Sequence, residues 1–207
     1  MDFFKAEEPI LDLGSGTGEL LRGKSFVCLD ISLKMAKMCS ERGTYSVCGD
    51  AEYLPFREGS FPTLLSNFSL QWTDLRRSIP ESHRVLKEEG LFFLSIPVEG
   101  SLKTLFSSWK RALGSLPLFE FPKESEVYSL FKRYFEVIEF EVLNLEKEFK
   151  NSREALKCVT GVGARNPFGS ASFKEAKRFL EAFNENPKIE YRALIITGRR
   201  RELPEEP

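Results

Sequence analysis

The chain is organised around residues 10–20, which read ILDLGSGTGEL. A short apolar run ends at Asp12, glycines follow at alternate positions, and a Glu-Leu-Leu sequence favours a helix start. This order predicts a strand, a glycine turn and a helix. Such a turn suits ligand binding because glycines let a ligand approach the backbone and a helix N-terminus offers free N–H groups to an anion. A dinucleotide fingerprint would need glycine where Glu19 stands, and a tight turn without a ligand remains the alternative at this point.

Length and composition favour one α/β domain over residues 1–207. A chain of this size can bury a sizeable core, and its formal net charge is only −1. The balanced charge argues against a general nucleic-acid binder, which would show a basic excess. No apolar run approaches the length of a membrane span, and the N-terminus is too acidic for a signal peptide. We therefore expect a cytoplasmic protein without nucleic-acid or membrane partners.

Four cysteines and one histidine limit the chemistry that the chain can perform. No two of Cys28, Cys39, Cys48 and Cys158 have the short spacing of a zinc site, so no metal is expected. Cys28 and Cys48 lie in apolar runs and are expected to be buried thiols, since a disulfide is disfavoured in a reducing compartment. His83 lies in the middle of a predicted helix, where a structural role is expected.

Alternating apolar runs and helical patterns predict a doubly wound, mostly parallel, seven-stranded sheet. The predicted strands are 9–13, 25–29, 45–48, 61–68, 91–96, 135–149 and 189–197, and the main predicted helices are 75–87, 101–113, 125–134, 151–159 and 173–184. Ligands in such sheets bind beyond the carboxyl ends of the strands. A single acid there is often a cap or a turn former. Polar residues at four consecutive strand ends instead predict a binding site: Asp12, Asp30, Asp50 and Asn67.

Residues 9–200 resemble the class I S-adenosylmethionine (SAM) methyltransferases, and most of all the malonyl-acyl-carrier-protein O-methyltransferases of biotin synthesis. The stretches that carry this resemblance are Asp12 with the glycine loop, residues 29–32 with Met35, residues 49–56, residues 66–72, residues 84–90, residues 99–102 and residues 156–162. The resemblance implies a Rossmann-like fold with a helical lid. It also implies a cofactor-binding half at 9–97 and a substrate-side half at 98–200.

The resemblance implies that SAM is the cofactor and S-adenosylhomocysteine (SAH) the product. A carboxylate can accept from both hydroxyls of a ribose, which suits Asp30, and Asp50 suits the adenine amino group. The glycine-loop N–H groups suit the methionine carboxylate, and Asn67 is expected to orient that end of the cofactor. The expected cofactor residues are Asp12, Gly14, Ser15, Gly16, Gly18, Asp30, Ile31, Met35, Asp50, Ala51, Asn67 and Phe68.

The subfamily resemblance implies a carboxylate acceptor on an acyl carrier protein. A carboxylate is ionised at neutral pH and needs no base, so we expect no catalytic side chain. Rate acceleration would then come from alignment and desolvation of the reactants. Apolar walls are expected from Phe68 and from residues 116–121. The expected acceptor-side residues are Leu70, Phe119 and Phe121 as walls, with Lys157 and Arg165 as candidate cations.

Two departures from the subfamily keep other functions open. Family members have a helical segment before the first strand, whereas only eight residues precede Pro9 here. Residues 118–122 also lack the arginine that would suit a substrate carboxylate. The alternatives are a quinone-like or hydroxylated small acceptor, or a SAM-binding accessory subunit that is active only when a partner chain covers the site.

Overall fold

The computed structural model describes residues 6–20, 25–115, 119–160 and 172–203. The elements are β1 Ile10–Leu13, β2 Phe26–Asp30, α1 Leu33–Ser40, β3 Tyr45–Cys48, β4 Phe61–Asn67, α2 Leu75–Val85, β5 Leu86–Pro97, α3 Lys103–Leu113, α4 Glu124–Tyr134, β6 Phe135–Glu148, α5 Ser152–Thr160, α6 Phe173–Asn184 and β7 Lys188–Arg200. The predicted helix 75–87 ends earlier and the fifth strand begins earlier than expected. A register shift between Phe61 and Thr63 explains this, because it lets Leu86 pair with Phe61.

The seven strands form one sheet in the order β3-β2-β1-β4-β5-β7-β6. β1 pairs in parallel with β2 and β4, β2 with β3, and β4 with β5. The predicted mostly parallel, seven-stranded sheet is therefore confirmed, whereas the helical lid stays a prediction. The strand order reverses at β1, and the carboxyl ends of β1, β2 and β4 meet at this switch point, where ligands of open α/β sheets bind.

Local sequence explains how these elements begin. All four residues of β1 are buried, as a central parallel strand requires. The Ser32 side chain accepts from the Met35 N–H and starts α1, and the Asp74 side chain accepts from the Arg76 N–H and starts α2. No helix in the described part of the chain is both long enough and apolar enough to cross a bilayer.

Internal contacts divide the chain into two compact units. The first comprises residues up to Ile96, Lys123–Val142 and the residues from Leu194 onward; the second comprises Pro97–Pro122 and Leu143–Ala193. In the first unit, the fully buried rings of Phe92, Phe131 and Phe135 pack together. The second unit has its own core: Leu102, Leu105, Trp109, Ala155, Val159, Phe179, Phe183 and Ile189. That the whole chain acts as a single domain stays a prediction.

The cysteines differ from expectation. Cys28 on β2 and Cys39 on α1 form a disulfide, whereas the sequence predicts a buried free thiol at Cys28 and disfavours any disulfide. Helix α1 packs its buried residues, Ala36 and Cys39, against the sheet and so brings the two sulfurs together. Cys48 is exposed rather than buried, because β3 is the edge strand of the sheet. Spacing along the chain does not show which thiols the fold brings together.

Candidate cofactor site at the strand ends

The glycine loop folds over the end of the neighbouring strand. The N–H groups of Gly14 and Ser15 both donate to the Leu29 carbonyl, at 2.7 and 3.1 Å, and the Gly18 N–H donates to the Ser15 carbonyl at 2.9 Å. Gly14, Gly16 and Gly18 have φ angles of 71, 55 and 72°. This is the left-handed region, which glycine enters without the strain that a Cβ atom causes.

The three glycines of the loop differ in how much space surrounds them. A Cβ atom at Gly14 would overlap the Ser69 side chain, and one at Gly18 would lie 2.5 Å from the Cys39 sulfur. These two positions therefore need glycine for close packing within the protein. A Cβ atom at Gly16 would have no heavy atom within 4 Å, so the backbone there borders open space. A ligand can thus approach the loop backbone at Gly16.

Asp30 ties the glycine loop to the start of α1. One of its carboxylate oxygens accepts from the Gly16 N–H at 2.9 Å, and the other accepts from the Ser32 N–H at 2.8 Å. The side chain is half-buried, and each carboxylate oxygen has a second lone pair. Asp30 can therefore hold the loop and still accept hydrogen bonds from two hydroxyl groups of a ligand.

Asp12 is a second carboxyl group at the same edge and has a different character. It is only 2% exposed at the end of buried β1. Burial raises its pKa from 3.8 to about 7, and the negative charge of Asp30 adds to the increase. Asp12 therefore exchanges a proton near neutral pH. Of the two carboxyl groups, Asp30 is the one placed to accept from a ligand.

The chain that follows β4 turns back towards β1. The exposed Asn67 side chain accepts from the Ser95 hydroxyl, and Phe68 has a φ angle of 50° while its N–H donates to the Ser95 carbonyl at 2.9 Å. The Ser69 hydroxyl donates to the Leu13 carbonyl at 2.7 Å. Leu70, expected to line the acceptor side, has no exposed surface in this structure. Asn67 and Phe68 thus lie beside the end of β5, and Ser69 lies beside the glycine loop.

The loop after β3 carries Asp50, the residue expected to accept from the adenine amino group. One Asp50 carboxylate oxygen accepts from the Glu52 N–H at 2.9 Å, and Asp50 forms an isolated bridge with Tyr53. Ala51 is buried, while Ile31, which follows β2, is 58% exposed and offers apolar surface beside Asp30. Met35 is half-buried in the first turn of α1. The Gly49 N–H donates to the backbone carbonyl of Asp30 at 3.1 Å, which links this loop to the end of β2.

The remaining expected acceptor residues belong to the second unit or fall outside the described ranges. The rings of Phe119 and Phe121 pack edge to face, with centroids 5.0 Å apart, and Phe121 stacks on Phe106. Lys157 is exposed on α5. Arg165 lies outside the described residues. The roles of these side chains stay predictions.

His83 has the structural role expected for it. It is 7% exposed, its Nε2 atom lies 2.7 Å from the Arg201 carbonyl oxygen, and its ring packs beside Tyr134 and Phe135. Burial lowers its pKa, which favours the neutral ring. Its Nε2 atom is thus hydrogen-bonded to the backbone that directly follows β7.

Ser69 was not among the predicted site residues, yet it fills the space that a side chain at Gly14 would need. The available signal was a pair of small polar residues, Ser66 and Ser69, on either side of Asn67 and Phe68. Their hydroxyls are 2.9 Å apart, and both donate to the carbonyl of Leu13. Small side chains there let the end of β4 pack closely against the glycine loop.

The groups at the strand ends fit SAM. Two carboxylates, Asp30 and Asp50, can accept from ribose hydroxyls and from an amino group. The backbone borders open space at Gly16, and Ile31 offers an apolar surface to a base. A ligand with a diol, an aromatic base and a charged amino-acid end matches this set of groups.

Comparison with known proteins finds a methyltransferase domain in the part of the chain that carries the candidate cofactor site. A family model described as a methyltransferase domain matches residues 11–94, which include β2 to β4 and most of β1 and β5. A malonyl-[acyl-carrier protein] O-methyltransferase of Geobacter sulfurreducens is 35% identical over 130 residues, which cover 56% of this chain and 49% of that protein. One from Herminiimonas arsenicoxydans is 30% identical over 170 residues, covering 78% of this chain and 65% of that protein. The chain thus spans 49 and 65% of the length of these two relatives.

Solved structures share the fold across nearly the whole chain. The YcgJ protein of Bacillus subtilis is 19% identical with a TM-score of 0.66, and the match covers 96% of this chain and 94% of that one. Geranyl diphosphate C-methyltransferase of Streptomyces coelicolor, solved with SAH, has a TM-score of 0.61 at 15% identity, covering 95% and 73% of the two chains. Residues 11–94 therefore match a methyltransferase domain, and the chain shares its fold with solved structures that include a SAM-dependent methyltransferase, so it resembles the class I SAM-dependent methyltransferases.

Proposed function

We propose that this protein transfers the methyl group of SAM to the free carboxylate of a malonyl thioester on an acyl carrier protein, a step of biotin synthesis. The observation that carries the methyltransferase part is the glycine loop, which Asp30 holds while Gly16 borders open space. Named relatives at 30 and 35% identity support the choice of acceptor. SAH is the expected product.

The cofactor would be held mainly by the first unit's own groups. When bound, SAM supplies a methyl group made electrophilic by a sulfonium. Asp30 would accept from the ribose hydroxyls, Asp50 from the adenine amino group, and the loop N–H groups would bind the methionine carboxylate. Asn67, whose amide oxygen accepts from Ser95, would orient the methionine end.

The acceptor would need positioning rather than activation. A malonyl carboxylate is ionised at neutral pH and can attack without giving up a proton. The chain contains a single histidine, His83, and its ring nitrogen is engaged by the Arg201 carbonyl. Aligning two reactants in a water-poor site can supply on the order of 7–11 kcal/mol of barrier reduction. Phe68 would form an apolar wall for this purpose.

A pair of glycine variants tests cofactor binding. Gly16→Ala and Gly43→Ala both put a Cβ at a left-handed residue, with φ of 55 and 82°, and neither Cβ meets an atom within 4 Å. Both should therefore have a similar cost in stability. Only Gly16→Ala should weaken SAH binding, by about a hundredfold, measured by calorimetry. Unchanged binding in both variants would remove the glycine loop from the cofactor site.

An acceptor assay tests the substrate. Wild-type protein should methylate malonyl-acyl-carrier protein in preference to small quinone-like or hydroxylated acceptors. His83→Ala should retain turnover, whereas Arg165→Ala, and to a lesser extent Lys157→Ala, should raise KM about tenfold. Turnover of a hydroxylated acceptor alone would replace the carboxylate proposal. SAM binding with turnover only after addition of a partner chain would indicate the accessory-subunit alternative.

A further inference from the structure

The loop that carries Asp50 is held at its far end by two side chains of α2. A Glu81 carboxylate oxygen accepts from the Leu54 N–H at 2.7 Å. The Arg84 guanidinium donates to the Leu54 carbonyl at 3.0 Å and to the Phe56 carbonyl at 2.8 Å. Three backbone groups of residues 54–56 thus depend on these two side chains.

Glu81 and Arg84 also hold each other. The Arg84 Nε and one terminal nitrogen donate to the two Glu81 carboxylate oxygens, at 2.7 and 2.8 Å. This hydrogen bond lowers the pKa of Glu81 and raises the pKa of Arg84, so both stay charged near neutral pH. The side chains are only 23 and 35% exposed. A two-pronged arginine–carboxylate pair fixes the orientation of both groups.

The loop between Asp50 and Leu54 is a short hydrogen-bonded turn. The Tyr53 N–H donates to the Asp50 carbonyl at 3.1 Å, and the Asp50 side chain accepts from the Glu52 N–H. These bonds close the turn, so the backbone that leads into Leu54 and the Asp50 carboxylate belong to one hydrogen-bonded segment. In the sequence, residues 84–90 are one of the stretches that carry the family resemblance, and Arg84 is the first of them. The contacts of Arg84 show what this first residue does.

We propose that Glu81 and Arg84 are positioning residues that fix the Asp50 carboxylate for recognition of the adenine amino group. The proposal rests on the role of Asp50 given under the proposed function. It makes the selectivity for adenine depend on two residues of α2, neither of which is among the expected cofactor-binding residues. A pair that only stabilised the fold would affect unfolding and would leave base selectivity unchanged.

The test compares SAH with S-inosylhomocysteine, in which an oxygen replaces the adenine amino group. Calorimetry on wild-type protein should show a preference for SAH of about tenfold or more. Arg84→Lys keeps the positive charge but lacks the fork that reaches two carbonyls, and Glu81→Ala removes the acceptor for the Leu54 N–H. Both variants should lower the preference at least about threefold. Arg76→Lys, at an exposed position of the same helix, should leave it unchanged.

Amide hydrogen exchange of the ligand-free protein provides a second readout. Exchange of the Leu54 N–H should accelerate about tenfold in Glu81→Ala. Glu81→Gln retains an acceptor oxygen, so it should restore part of the protection and part of the preference for SAH. It also provides the test if Glu81→Ala does not fold.

The outcomes separate the two proposals. Faster Leu54 exchange with an unchanged preference for SAH would overturn the positioning role and leave the proposed function intact. Equal binding of the two ligands by wild-type protein would overturn the role of Asp50, and with it the positioning role. A wild-type protein that bound neither would contradict the proposed function itself.

Discussion

The glycine loop of the first unit and the helical core of the second are held by different forces. The loop is fixed by a few hydrogen bonds, two from its backbone to the Leu29 carbonyl and one to the Asp30 carboxylate. The second unit buries side chains such as Leu105 and Phe183 completely. Hydrogen bonds are directional and individually modest in net energy, whereas apolar burial is non-directional and large. We therefore expect changes in the loop to alter binding and changes in the helical core to alter stability.

The largest expected effect is the loss of stability caused by a substitution in the core of the second unit. Phe183 is fully buried on α6, and its ring stacks on Phe179 with centroids 5.9 Å apart. Phe183→Ala should lower the free energy of unfolding by about 3–5 kcal/mol, measured by urea denaturation. Phe173→Ala on the same helix, at a residue that is 87% exposed, is the matched control and should change it by less than about 0.5 kcal/mol. Equal losses would show that burial does not distinguish the two positions.

The second effect is a pH dependence from Asp12. The folded protein holds the Asp12 proton up to about pH 7, whereas the unfolded chain releases it near its ordinary pKa of 3.8. Stability should therefore fall as pH rises between these values, by up to about 1.4 kcal/mol per pH unit and about 4 kcal/mol in all. Asp12→Asn carries no charge and should lack this contribution.

Comparing the variant with wild type isolates the contribution of Asp12. The free energy of unfolding of Asp12→Asn should exceed that of wild type at about pH 7.5, and the gap should shrink towards about pH 4.5. Asp30 is the charged group that raises the pKa of Asp12 beyond the effect of burial, so Asp30→Asn should move this titration to lower pH. A constant difference across the range would mean that Asp12 ionises normally in the folded state.

The third expected effect is on SAH affinity, rather than on stability, and follows from replacing Asp30. Asp30→Ala removes the acceptor for the Gly16 and Ser32 N–H groups and the expected partner of the ribose hydroxyls. Loss of a charged acceptor typically costs about 1.5–3 kcal/mol, or about ten- to a hundredfold in affinity. SAH binding measured by calorimetry should fall by this amount in Asp30→Ala and far less in Asp12→Asn. Small, equal losses would make Asp30 a turn residue only.

The parts of the site that follow from local geometry were predictable from the sequence. An apolar run that ends in an acid, followed by alternate glycines, specifies a strand and a turn within a dozen residues. Asp12 and Asp30 therefore do lie at the ends of β1 and β2. Asp50 follows β3 after a single residue for the same reason.

Contacts between distant parts of the chain were not predictable in the same way. Arg84 lies in the last turn of α2, where a basic side chain commonly serves the helix C-terminus, but its guanidinium reaches carbonyls 28 and 30 residues away. The Cys28–Cys39 disulfide and the packing of Ser69 against Gly14 also depend on which elements the sheet brings together. Each of these side chains could also serve a role within its own element. The periodicity of the sequence does not indicate that it contacts a distant element instead.

The smallest expected effect is at Ser69, and it tests whether the loop depends on single hydrogen bonds. The Ser69 hydroxyl donates to the Leu13 carbonyl at 2.7 Å, and the Ser66 hydroxyl donates to the same carbonyl at 3.2 Å. Ser69→Ala therefore leaves the carbonyl with one donor and should cost only about 0.5–1.5 kcal/mol of unfolding free energy. The matched control is Ser60→Ala, which removes a 2.7 Å hydrogen bond to the Arg57 carbonyl at the surface and should cost less. Because Ser69 packs over Gly14, its loss should also weaken SAH binding by about two- to fivefold, whereas Ser60→Ala should not. A loss of stability in Ser69→Ala without any change in SAH affinity would mean that the loop keeps its shape through Asp30 and the Leu29 carbonyl alone.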